Sequence, residues 1–270
     1  MMHATVDAKE NPRKQLRFIA DALAGCDRVL VHSIHDLNRL KRLGVERNTA
    51  MFPHGIMEPA EVPERAGGAR LRIASYGFFL PHKGLLELID AVGLMVGRGT
   101  DVELVMVNAE YPVPVSREQI EQAIQRIAQR GLQSRVRMVT QFLRDQESMA
   151  ELVQADVVVF PYQGTGESAS GAVRYGLASG KPVAVTPLAI FDDVGDVVHR
   201  MPGTGPDDLA DGLDALLVAV RNGTAEVVST QKRAEQWRSE HRYPVLARRL
   251  DTMSRQLLRQ RHIEPNSPNS

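Results

Sequence analysis

The sequence predicts an α/β protein with an open, doubly wound parallel sheet. Three observations carry that prediction. Strand-like apolar runs alternate with helical segments from end to end, the pattern of a parallel sheet covered by helices. Residues 71–260 alone supply about six such strands, a complete open sheet of ordinary domain size. One strand-like run, Asp156-Val157-Val158-Val159-Phe160-Pro161, leads into a helix whose first turn holds small residues.

Strands are expected near 28–33, 49–52, 71–77, 102–107, 135–140, 156–160, 182–186 and 197–201. Helices fit near 12–24, 35–43, 83–97, 116–131, 145–154, 169–179 and 207–221. Two more, near 226–240 and 244–261, end the chain. Pro244 suits the first turn of the last one, where a missing N–H costs nothing. The stretch from Pro53 to Arg70 holds three prolines with Gly55, Gly67 and Gly68, and reads as a linker. The expected organisation is therefore 1–54 as the end of an incomplete N-terminal domain, 55–70 as linker, 71–262 as the ligand-binding domain and 263–270 as a disordered tail. Two strands and two helices in the first segment are too few for an independent core. Its apolar strands, Val29-Leu30-Val31 and Ala50-Met51-Phe52, lack partners, so self-association is expected.

Composition narrows the function. Lys+Arg and Asp+Glu both number 33 in 270 residues, which argues against a nucleic-acid binder. One cysteine, Cys26, excludes an internal disulfide framework and fits a reducing compartment, so a cytoplasmic protein is expected. The N-terminus lacks the basic and apolar blocks of a signal peptide, and no window is apolar enough to span a bilayer. From Lys232 to His262 there are nine Lys/Arg against three Asp/Glu. That basic end is a candidate contact for the inner membrane surface, the alternative being a solvated helix face.

The residues that read as a site are Gly166-Glu167-Ser168-Ala169-Ser170-Gly171-Ala172-Val173-Arg174-Tyr175. A helix start made of Ser, Ala and Gly leaves backbone N–H groups free and points the positive end of its dipole outward. An anion can approach such a turn closely. Ser170 and Arg174 are four apart and share a face that can look into a cleft. The alternative is a helix start chosen for close packing, with Glu167 as a favourable N-terminal charge. A second strand ends in Gly77-Phe78-Phe79-Leu80-Pro81-His82-Lys83-Gly84. Lys83 at a helix start opposes the dipole, which an anionic ligand would explain; otherwise it is a solvated lysine. Gln141-Phe142 after a third strand is either a base-binding edge or an ordinary loop.

Other chemistries lack their signatures. There is no G-x-G-x-x-G after a strand, no Walker loop, no G-x-S-x-G and no zinc-ligand spacing. Asp192-Asp193 and Asp207-Asp208 read as caps more readily than as cation ligands.

With these residues in view, the chain resembles the retaining glycosyltransferases of family 4, which carry the GT-B fold of two facing Rossmann-like domains. Lys83-Gly84 matches the family's lysine-glycine pair. Phe160-Pro161 matches its strand ending in proline, Glu167 the first Glu of its motif, and Gly180-Lys181-Pro182-Val183 its Gly-x-Pro-Val. Trp237, with Tyr243-Pro244, is similar to its C-terminal end. Asp27 to Ser33 and Phe52-Pro53-His54-Gly55 are similar to the end of its N-terminal domain.

The resemblance implies a catalytic set of Glu167, Lys83 and His3, with Glu167 and His3 at the donor sugar. It implies that Gly77, Lys83, Ser168, Ser170, Gly171, Arg174 and Tyr175 bind the donor. Two positions depart from the pattern. The family's second Glu, which grips the ribose, falls on Tyr175, and the arginine after the first-loop glycine falls on Phe78. Arg174 is expected to supply the missing cation from the opposite side of the cleft. The implied function is transfer of a sugar from a nucleotide diphosphate sugar to a glycan or lipid-linked acceptor, with retention and without metal or other cofactor. The alternative is a non-catalytic nucleotide-sugar-binding module. The chain is expected to hold the donor half of the site.

Overall fold

A computed structural model describes residues 1–2, 5, 7, 15–58, 70–165, 167 and 169–263. The first segment holds helix α1 (Ala20–Ala24), strand β1 (Val29–Val31), helix α2 (Ile34–Arg42) and strand β2 (Thr49–Met51). The remainder supplies β3 (Leu71–Phe78), α3 (Leu85–Gly97), β4 (Val102–Ala109), α4 (Pro114–Gln129), β5 (Val136–Val139), α5 (Asp145–Val153), β6 (Val157–Phe160), α6 (Gly171–Ala178), β7 (Val183–Val185), β8 (His199–Arg200), α7 (Pro206–Arg221), α8 (Ala225–His241) and α9 (Tyr243–Ile263). Strands β1 and β2 pair in parallel as a two-stranded sheet. The other six form one parallel sheet in the order β5-β4-β3-β6-β7-β8.

The expected doubly wound parallel sheet is thus present, and its order has a consequence. The chain winds outward from β3 through β4 to β5, then returns to place β6 on the other side of β3. Side chains alternate across the sheet, so each strand feeds two cores. Ile73, Val157, Val159 and Ala184 face α3 and α7, among Leu88, Ile89, Leu209 and Leu213. Ala74, Val158, Phe160, Val183 and Val185 face the other side, with Val173, Leu177 and Phe191. Burial on both faces explains why β6 and β7 are unbroken apolar runs. Each large apolar side chain so buried contributes about 1.5–3 kcal/mol.

A stretch of 3-10 helix, Ala189–Val197, lies between β7 and β8, where the sequence pattern marks no element. Its buried Ile190, Val194 and Val197 fall at helical spacing, with Phe191 beside Ile190, but the run is short and interrupted by Gly195. It closes the second core beside α6 and α8. Ile56 is tied to the α8–α9 junction: its N–H donates to the His241 carbonyl at 2.9 Å, and Tyr243 N–H donates to its carbonyl at 3.3 Å. A Cβ on Gly55 would lie 2.3 Å from the Tyr243 ring, so only glycine fits there.

Candidate functional site at the strand-order reversal

Strands β3 and β6 are hydrogen-bonded neighbours, yet α3 packs on one face of the sheet and α6 on the other. A crevice must open where the two connections diverge. A cleft of about 370 Å³ lies there, lined by Tyr76, Gly77 and Phe78 from β3, Lys83, Glu167, and Ser170 and Gly171 at the start of α6.

The Lys83 position is built by a turn. Pro81–Lys83 form one 3-10 turn ended by Gly84 at φ 67°. A Cβ on Gly84 would stand 1.8 Å from the Pro161 carbonyl oxygen, so the chain there needs both the left-handed backbone and the missing side chain. Lys83 therefore precedes α3 rather than opening it. Its amine sits 4.0 Å from the centroid of the Tyr162 ring and 3.6 Å from the Glu167 carboxylate. The Lys83 side chain is 12% exposed and the Glu167 side chain 53%. The ring holds the cation by its quadrupole, while the half-exposed carboxylate adds little net stability.

The opposite wall is the start of α6. Ser170 is buried and caps the helix, its Oγ accepting from Val173 N–H at 3.3 Å. The same Oγ lies 3.1 Å from the Tyr162 hydroxyl. Tyr162, itself held by Thr186 Oγ1 donating to its carbonyl at 2.8 Å, thus joins the Lys83 side to the α6 side. Tyr162 is not among the residues the sequence singles out; its position directly after Phe160-Pro161 is the signal that could have found it. The cap takes the Val173 N–H, and the Gly171 end of α6 still points its dipole at the cleft, where an anion is favoured.

Aromatic residues form the outer rim. Phe78 packs edge-on to Tyr111 at 5.0 Å and stacks with Phe142 at 6.0 Å, and Phe142 is 78% exposed. Gln141 and Phe142 line the cleft. Deeper in, Tyr175 stacks on Tyr76 at 4.4 Å and donates its hydroxyl to Asp145 at 2.8 Å. Burial, then the Asp145 acceptor, hold the Tyr175 hydroxyl well above the usual tyrosine range. Burial pushes the Tyr76 hydroxyl up and His82 down from their ordinary values.

Of the expected site residues, the structure brings Gly77, Lys83, Glu167, Ser170, Gly171 and Tyr175 to this cleft. His3 and Ser168 lie outside the described residues. Arg174 is a correction. Its guanidinium is buried on the far side of α6, where it donates to the Ser170 carbonyl at 2.6 Å and pairs with Asp193. It does not line the cleft and brings no cation to it; the carboxylate from the 3-10 stretch draws it away. Lys83 is the one cationic side chain on the cleft wall among the described residues. Asp208 accepts from Gly205 N–H at 3.3 Å, as a cap does. No described helix is long and apolar enough to cross a membrane.

No curated protein sequence matches the chain. Solved structures match its fold. HepE from Anabaena, determined with UDP, superposes with a TM-score of 0.74 at 15% identity, over 94% of this chain and 71% of that one. An α,α-trehalose-phosphate synthase from Burkholderia vietnamiensis gives 0.76 at 12% identity, over 98% and 68%. The sucrose-phosphate synthase of Thermosynechococcus elongatus gives 0.70 at 18%, over 94% and 65%. At such identities the likeness establishes the architecture of a GT-B Rossmann-like domain. The family model for glycosyl transferases group 1 matches residues 70–219, more than half of the chain and the span from β3 into α7 that builds the cleft, so the protein belongs to that family.

Proposed function

We propose that the protein binds a nucleoside diphosphate sugar in the cleft and transfers the sugar, with retention and without a metal ion, to a glycan or lipid-linked acceptor. One observation carries this reading: Lys83 and the open start of α6 face a single cleft where the strand order reverses. Charge grows on the departing diphosphate during transfer, and preorganised donors stabilise it best. Lys83 and the amides around Ser170 and Gly171 are such donors, held apart by the fully buried Tyr162. Glu167, beside Lys83, contacts the sugar in this reading, and the family resemblance adds His3 to the same role. The UDP bound by HepE supports a nucleotide ligand for this fold.

Because Phe78 stands at the end of β3 and Arg174 turns away, the cleft offers, among the described residues, one cation where two were expected. That favours, as the second reading, a module that binds the donor without turning it over. Calorimetric titration with UDP, GDP, ADP and TDP tests both. Binding of at least one, lost by about ten-fold or more in Lys83→Ala, is the expected result, the size of a hydrogen bond to a charged group. Product from the matching nucleotide sugar, measured with and without candidate acceptors, then separates transferase from binding module. A chain that binds none of the four refutes both.

A further inference from the structure

We infer that Asp145 is the carboxylate that holds the vicinal diol of the nucleotide, in place of an acidic side chain on α6. This rests on the donor reading above. An apolar cleft that takes a nucleotide must satisfy the two ribose hydroxyls with an acceptor, since burying them without one is costly. The cleft wall offers few. On α6 the side chain that reaches the cleft beside Tyr76 is Tyr175, which is neutral and has its proton committed to Asp145 Oδ1 at 2.8 Å. Tyr76 stacks on that ring at 4.4 Å, so the stacking and the Asp145 bond together hold the Tyr175 phenol in place.

Asp145 itself opens α5, between Leu143 and Ser148, both of which line the cleft; it stands at the cleft's edge rather than among the lining side chains, and is tied to the wall through Tyr175. Tyr175 occupies one of its two carboxylate oxygens, and each can accept more than one hydrogen bond. The first-turn contact of α5 to the Arg144 N–H is made by Glu147 Oε2 at 2.9 Å, while Asp145 adds its charge to the same turn. Asp145 is thus an exposed acid whose carboxylate is oriented by a half-buried tyrosine. A carboxylate accepts from both hydroxyls of a cis diol at once, and charge-assisted bonds are the stronger kind.

The test pairs a protein change with a ligand change. The full chain, as wild type, Asp145→Asn, Asp145→Ala and Tyr175→Phe, is titrated with the tightest-binding of UDP, GDP and ADP and with its 2′,3′-dideoxy counterpart. In the wild type, removing the diol is expected to weaken binding by about ten-fold or more. In Asp145→Ala the two ligands should bind equally, because the variant loses affinity for the ribose form alone. Asp145→Asn should fall between, and Tyr175→Phe should lose part of the discrimination because the carboxylate is no longer oriented. The inference is overturned if Asp145→Ala weakens both ligands by the same factor, or if it leaves the wild-type discrimination intact. A wild type that binds none of the three ribonucleotides overturns the donor reading, and this assignment with it, which is a different result from either.

Discussion

Arg174 is confined to 4% exposure, with the largely covered Asp193, 16% exposed, as its counter-charge. Removing one member of such a pair leaves the other buried and unpaired, at a cost of about 3–5 kcal/mol. Arg174→Ala is therefore expected to lower stability by that order in chemical denaturation, and a paired Arg174→Met/Asp193→Leu chain to regain most of it. An unchanged denaturation midpoint together with a selective loss of nucleotide affinity would return Arg174 to the cleft. Gly84→Ala should also destabilise, by at least ~2 kcal/mol, because left-handed strain alone costs about 1–2 kcal/mol and the Pro161 carbonyl stands where the Cβ would go. A stability equal to wild type would show that the turn can rearrange. The two sites also show how far residues can be read from sequence. Lys83 and Glu167 are legible because both follow strands, and a parallel sheet gathers strand ends. The four-residue spacing correctly puts Arg174 beside Ser170, whose carbonyl it binds. Spacing cannot say whether that shared face looks into the cleft or beneath it. Asp193 decides this, from a stretch to which the sequence pattern assigns no element. The Tyr162 link between the two walls is equally hidden, since it depends on a distance across the sheet.

Elements that carry a half-buried histidine give the fold a pH dependence. His82 lies in the 3-10 turn before α3, His199 in β8 and His241 at the end of α8. Burial is the largest influence on each, and it pulls all three below the ordinary histidine value. Lys83 lowers His82 further while Glu167 opposes it; Arg233 and Glu226 act likewise on His199. For His241, Arg249 and Arg174 lower it while the Trp237 carbonyl and Glu240 raise it. The Nε2 atoms of His82 and His199 are buried without a hydrogen-bond partner, so neither has an acceptor waiting for a second proton. In the unfolded chain these groups take up protons as pH falls through about 6.5, while in the fold they remain neutral to lower pH. Below about 6.5 the unfolded state binds more protons, so stability should be full at pH ~7–8 and fall progressively from about 6.5 downward. Thermal melts at about pH 7.5, 6.5, 5.5 and 5.0 check this, with His199→Asn expected to flatten the decline. A melting temperature that rises on acidification would contradict it. The strands and helices that hold these groups are mostly legible, because long segments with a clear period announce themselves. Strand β8 falls inside the run expected at 197–201; the 3-10 stretch before it has no expected counterpart, and tertiary packing of Phe191 and Val194 defines it instead.

At the scale of the whole molecule, the two sheets differ in how well they are covered. The six-stranded sheet is buried on both faces. The smaller one rests on a modest cluster of Leu16, Val29, Val31, Leu40 and Val45. Among the described residues β2 pairs with β1 alone, so its outer edge carries backbone donors and acceptors with no strand beside them. Met51 on that strand is 51% exposed, and Phe18, Ile19 and Ile34 stand out from the same segment. Two-stranded sheets are marginal in water, and an open parallel edge is a template for another chain. The purified chain is therefore expected to self-associate through this segment. Sedimentation velocity should show a mass average that rises with concentration in the micromolar range. Met51→Lys, which puts a charge on the exposed edge and leaves the six-stranded sheet untouched, should shift the chain toward monomer while keeping nucleotide affinity. Dilution into added nucleotide should leave the association unchanged, because the cleft is built by β3, β6 and α6 and not by β2. A monomer at all concentrations, with residues 15–58 resistant to protease, would mean that α2 and the linker contacts at Ile56 and Arg242 hold the small sheet closed on their own.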